Sequence, residues 1–159
     1  MATIVGMTEI EVLLNRRFLA QEAGVSDKTR EILAKEEFTE VISFDQETEI
    51  VSEGTVPDAL YFTLNGGFHA SSRATAKGVN RLLGTIEPAE FIGEVTLLEG
   101  KKTLASATVK ASPQARVLKM PIEKFESFCE EHPAEALEFV KAIGKQLCKR
   151  LRHANATLL

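Results

Sequence analysis

The sequence predicts a mainly β domain with helices at both ends. Three observations predict it. A capped helical stretch opens the chain, the middle alternates apolar and polar residues between Gly, Pro and Asp breaks, and helical spacing returns after Met120. At 159 residues the chain has the length of one domain, and 44% hydrophobic with 26% charged residues is ordinary for a globular fold. The expected architecture is an antiparallel β-barrel or sandwich with N-terminal helices and a long C-terminal helix.

Each element has a local cause. Thr8 and Glu11 form a capping box ahead of Val12, Leu13, Leu14, Phe18 and Leu19, and Gly24 supplies the stop. Ser26 caps a second, short helix that carries Ile32 and Leu33. Residues 1–25 are read as a helical extension and residues 26–159 as the folded domain. Strands are expected over Phe38–Phe44 and Glu49–Val51, then where Leu60, Phe62 and Leu64 alternate with Tyr61 and Thr63. Tyr61 and Phe62 belong on opposite faces, one in the core and the other covering its surface. Gly66-Gly67 breaks this run as a hairpin turn. Further strands are expected around Phe68–Ser71, Arg81–Ile86, Leu104–Ala111 and Ala115–Met120.

Pro121 opens a short helix bearing Ile122, Phe125 and Phe128, and Pro133 opens a long one reaching about Asn155. On the latter, Leu137, Val140, Gly144, Leu147, Leu151 and Ala154 recur at alternating spacings of three and four. That is the seam of a helix packed lengthwise on another, and it predicts a homodimer, with the stripe folded back on the strands as the competing reading. Phe139 and Ile143 lie off the seam and can hold the helix to the strands. Lys145, Lys149, Arg150 and Arg152 complement the helix dipole, and His153 is expected exposed in the last turn.

Composition narrows the function. A net charge of −4 argues against a sequence-independent grip on DNA. Cys129 and Cys148 form no C-x-x-C pair, and His69, His132 and His153 lack metal-ligand spacing. No apolar run is long enough to span a membrane and no signal peptide is visible, so a cytoplasmic location is expected. No triad or paired-carboxylate arrangement suggests an enzyme.

The informative stretch is Phe91-Ile92-Gly93-Glu94-Val95-Thr96-Leu97-Leu98-Glu99-Gly100, followed by Ala105-Ser106-Ala107-Thr108-Val109. A glycine ends an extended segment and a short helical turn follows, whose outward amides suit an anion while Gly93 allows close approach. Glu94 can accept hydrogen bonds from a sugar hydroxyl, and a returning strand would wall the pocket. Both residues also have a structural role open to them: Gly93 as a tight turn, Glu94 as a local cap or the partner of a neighbouring cation.

F-x-G-E-x-x-L-L followed by S-A-T-V resembles the phosphate-binding cassette of cyclic-nucleotide-binding domains, such as the effector domain of catabolite activator proteins. Glu53-Gly54, Asp58-Ala59-Leu60-Tyr61-Phe62 and Asn65-Gly66 agree with the same family, and the resemblance covers roughly residues 26–157. It implies an eight-stranded antiparallel β-roll, or jelly-roll barrel, with flanking helices, and a ligand such as cAMP or cGMP, with no other cofactor and no metal. It also implies a phosphate cradle of Gly93 and the amides of Val95 and Thr96, a ribose contact from Glu94, and Ser106 beside the phosphate. Ala105 stands where the family has its phosphate-pairing arginine, whose loss costs about 2–5 kcal/mol. Lys101 is a candidate substitute, favoured over Lys102 because strand alternation gives it the parity of Ala105. The expected function is a stand-alone regulatory or sensory domain without a helix-turn-helix, since the chain ends just past the long helix. The alternative is a ligand-independent dimerisation or docking scaffold with a protein partner.

Overall fold

The structure is a computed structural model that describes residues 2–4, 25–35, 37–73, 81–86, 90–100 and 103–158. The expected helix from Thr8 to Leu19 lies outside the described residues. Ahead of it, Ala2–Ile4 forms a short strand, β1, which the patterning did not anticipate. Eight more strands follow: β2 (Glu40–Phe44), β3 (Thr48–Val51), β4 (Ala59–Asn65), β5 (Phe68–Ser72), β6 (Arg81–Ile86), β7 (Phe91–Ile92), β8 (Thr108–Ala111) and β9 (Arg116–Pro121). The helices are α1 (Asp27–Leu33), α2 (Glu94–Glu99), α3 (Ile122–Glu131) and α4 (Pro133–Leu158).

The strands form two antiparallel sheets, one ordered β1-β2-β9-β4-β7 and the other β3-β8-β5-β6. Strands β2–β9 make the expected eight-stranded antiparallel roll, hydrogen-bonded among the described residues as two sheets rather than one closed barrel. Two further expectations need correction. Gly66-Gly67 is not a hairpin turn: β4 and β5 belong to different sheets, so the glycines carry the chain from one layer to the other. The strand expected over Leu104–Ala111 begins only at Thr108, because the Ala105 N–H and C=O bond the Thr55 carbonyl (2.7 Å) and Gly54 amide (2.9 Å) of a loop.

Two cores flank the five-stranded sheet. Alternation sends Leu60, Phe62 and Leu64 of β4 toward the helices, where they meet Phe38, Leu118, Phe128, Phe139 and Ile143. Ala59 and Tyr61, of opposite parity, face the second sheet with Phe44, Phe68, Val109 and Val117. Tyr61 and Phe62 do lie on opposite faces, but both are buried, and neither covers an outer surface. Burial pushes the Tyr61 phenol up to about 12, helped by the negative charges of Asp58 and Glu40.

The C-terminal helices are held by a run of rings: Phe38 to Phe128 at 5.5 Å, Phe128 to Phe139 at 5.9 Å, Phe139 to Phe91 at 5.7 Å and Phe91 to Phe62 at 4.9 Å. Phe139 and Ile143 anchor α4, as expected, and each buried side chain of this size contributes about 1.5–3 kcal/mol. The seam fares unevenly. Leu147 packs partly on the core, whereas Leu137 and Leu151 are 55% and 62% exposed.

Ser26 caps α1 as expected, its hydroxyl accepting the Thr29 N–H at 3.3 Å. It also donates to Glu138 of α4 at 2.9 Å, alongside the Thr29 hydroxyl. These donors, Thr29 foremost, hold the Glu138 carboxyl below its ordinary value, and Lys28 does the same for Glu135 at 2.9 Å. Helix α1 is thus fastened to the start of α4.

Candidate functional site

The corner between β7 and α2 sets the site. Edge strand β7 pairs with β4 through Phe91–Phe62 and Ile92–Tyr61, and the Glu90 backbone is fixed on both sides by Thr63. Gly93 then turns the chain with φ of 86°, a left-handed conformation, and a Cβ there would stand 2.9 Å from the Ala59 carbonyl oxygen. The turn itself requires glycine, so the structural role accounts for Gly93. Helix α2 runs one and a half turns and closes with the Gly100 N–H on the Thr96 carbonyl at 2.9 Å.

The returning segment closes the opposite wall. The Thr96 hydroxyl donates to the Thr103 carbonyl at 3.3 Å, Ala105 is tied to the Gly54–Thr55 loop, and the Glu53 N–H donates to the Thr108 hydroxyl at 3.0 Å. The Glu53 carboxylate accepts from the Ser72 hydroxyl and the Arg73 N–H, both at 2.8 Å. The Arg73 amide is the main cause of its lowered pKa. Glu53 thereby joins the loop to the end of β5.

Between these walls lies a cavity of 460 Å³, within the usual range of small-molecule sites. Gly93, Glu94, Val95, Thr96, Ala105 and Ser106 all line it. Lys101 lies outside the described residues, and because no strand runs through Thr103–Ala107, no strand alternation places it. The rest of the lining is mostly apolar, including Val51, Ile86, Ile92, Leu104 and Val109.

The residue that sequence reasoning misassigned is Arg150. It does not merely complement a helix dipole. Its guanidinium reaches back from α4 to the Glu94 carboxylate at 2.5 Å, the Glu90 carboxylate at 3.1 Å and the Phe91 carbonyl at 2.7 Å. One turn earlier on α4, the Gln146 side-chain oxygen accepts the Phe91 N–H at 2.8 Å. Both backbone groups on the open side of edge strand β7 are therefore taken by one helix. Glu94 is 9% exposed at its side chain, and its cation is Arg150. The only hint in the sequence was the pair of carboxylates, Glu90 and Glu94, bracketing the turn and needing a partner.

Among the described residues no group of His, Cys, Asp or Glu has the arrangement of a metal site, and no helix is long and apolar enough to cross a membrane. Cys129 and Cys148 are free thiols.

Two β-sheets flanked by helices, with a Gly-Glu turn walling an apolar cavity, have the architecture of a regulatory or sensory domain. The chain belongs to the cyclic nucleotide-binding domain family, whose model matches residues 41–132, from β2 to the end of α3. Over 98% of its length it superposes on a cyclic nucleotide-binding domain from Methylobacillus flagellatus, with a TM-score of 0.79, 17% identity and 86% of that chain covered. It is also similar in fold to the catabolite activator protein of Thermus thermophilus, with a TM-score of 0.67, 23% identity, and 85% and 59% of the two chains covered. In sequence it is 31% identical to glutaminase 1 of Bradyrhizobium diazoefficiens over 114 residues, which is 72% of this chain and 17% of that protein. The chain thus spans about a sixth of the curated relative it matches.

Proposed function

We propose that the protein is a regulatory, ligand-sensing module whose cavity takes a small anionic effector of the cyclic nucleotide class, cAMP or cGMP, with affinity lowered by the alanine at 105. The observation that supports this best is the convergence of Gly93, Glu94, Val95, Thr96, Ala105 and Ser106 on one 460 Å³ cavity in a chain of this family. In this reading the amides of Val95 and Thr96 take the phosphate and Glu94 a sugar hydroxyl. Residue 105 adds wall but no charge. The output is regulatory rather than catalytic and leaves through α4, to a second copy of the chain or to a partner protein, in the cytoplasm. Isothermal calorimetry with cAMP, cGMP and cyclic dinucleotides tests it. Weak binding of a cyclic mononucleotide is expected, and no heat with any of them overturns it.

Two observations favour a second reading, a scaffold that needs no ligand. Glu94 already has a cation, and α4 leaves Leu137 and Leu151 exposed as a surface for a second copy. The domain of residues 26–159 then also takes in β1, since Ala2–Ile4 of the expected extension pairs with β2.

A further inference from the structure

The charged groups on the cavity wall do not suit an anion equally. Among the described lining residues Glu90 and Glu94 are the carboxylates and Arg150 is the one cation. An anion entering here meets two repulsive groups and one attractive one, at separations where a low-dielectric wall magnifies both. Ala105 offers no charge, and Arg150 is not spent: its side chain is 37% exposed while Glu94 is 9% and Glu90 30% exposed. A guanidinium carries five N–H donors in a rigid fork, so it can hold a carboxylate on one edge and present another to a second anion.

We propose that Arg150 is the anion-recognising cation of this cavity, supplied by the C-terminal helix rather than by the cavity wall at residue 105, so that ligand and wall compete for one guanidinium. This rests on the anionic ligand class proposed above. Arg150 lies beyond the stretch matched by the family model, which ends at residue 132. The exchange has a direction. Glu90 is the more exposed partner and the more distant, at 3.1 Å against 2.5 Å for Glu94, so it is the contact surrendered to the ligand. The nitrogen that bonds Glu90 also bonds the Phe91 carbonyl. Turning that nitrogen toward a ligand loosens the hold of α4 on β7, and occupancy of the cavity reaches the helix through one side chain.

The test is calorimetry of the intact chain with cAMP and with adenosine, a neutral probe lacking the phosphate. The variants are Arg150→Gln, Arg150→Lys and Glu90→Gln. Because Arg150 is partly solvated, Arg150→Gln should weaken cAMP by about tenfold and change adenosine by less than about twofold. Arg150→Lys should fall between Arg150→Gln and the natural chain, keeping the charge without the fork. Glu90→Gln should tighten cAMP, since it removes a repulsive charge and frees the guanidinium. A merely structural tie between α4 and β7 would move Arg150→Gln and Glu90→Gln in the same direction and would affect adenosine as much as cAMP. That result, or cAMP binding unchanged in Arg150→Gln, overturns the proposal while leaving the ligand class intact. If the natural chain binds no cyclic nucleotide, the ligand class itself fails and this assignment falls with it. Should Arg150→Gln not fold, Arg150→Lys decides: cAMP weakened several-fold with adenosine unchanged supports the assignment, and unchanged cAMP, or adenosine weakened equally, refutes it.

Discussion

Replacing Gly93 by alanine tests whether the β7–α2 corner is a backbone requirement. At φ of 86° an L-residue costs about 1–2 kcal/mol through the clash of Cβ with its own carbonyl. The added Cβ would also stand 2.9 Å from the Ala59 oxygen, a backbone atom of β4 that cannot swing aside as a side chain would. Forcing that contact open adds about 1–3 kcal/mol, as overpacking does elsewhere. The sum, about 2–5 kcal/mol, should lower the melting temperature by roughly 4–20 °C in a domain of this size. Gly54→Ala is the control: φ there is 79°, but nothing lies within 4 Å of the new Cβ, so only the conformational part is lost. Thermal and urea unfolding of the two variants should differ by the steric part alone. A loss below about 1 kcal/mol for Gly93→Ala would show that the corner relaxes and that the turn does not demand glycine. Loss of ligand binding in this variant would then be no measure of direct contact, because the corner that shapes the cavity has moved.

Other outcomes follow from the same geometry. Ala105→Arg places a second cation on the cavity wall and should tighten cAMP by about tenfold or more in calorimetry, and unchanged affinity would show that residue 105 does not face the bound phosphate. The Tyr61 phenol stays neutral to about 12 when folded but ionises near 10 when unfolded. The unfolded state therefore releases a proton that the folded state keeps, and stability should fall between pH 10 and 12. Tyr61→Phe should flatten that part of the profile in urea melts. The Glu135 and Glu138 carboxyls have the opposite sign: both are depressed below 4.5 in the fold. Their contribution is complete above that value and is lost as pH falls through the folded values, so Glu138→Gln should reduce the acid dependence of unfolding. Sedimentation of Leu151→Asp against the natural chain tests dimerisation through α4, with dissociation to monomers expected and an unchanged profile refuting it.

Local chemistry made much of this fold legible from sequence. The Ser26 cap, the two-residue period through β4, the proline start of α4, and the Phe139 and Ile143 anchors are each set within a turn or a strand, so neighbouring residues suffice to reveal them, whereas Pro121 ends β9 and α3 begins one residue later. The family was legible because Gly93-Glu94 and the Thr108–Val109 return keep their order along the chain. Tertiary structure alone decided three things. Whether Gly66-Gly67 makes a hairpin depends on which strands β4 and β5 find, and each finds partners far off in sequence, β9 and β8. Whether Ala105 lies in a strand depends on a backbone acceptor at Thr55, since a local apolar pattern cannot say where its amide will bond. Arg150 meets Glu94 from 56 residues away, because the ring stack of Phe91, Phe128 and Phe139 lays α4 across the edge of β7. A charge in a terminal helix reads as solvated until its partner is known, and here the packing of the aromatic core chose the partner.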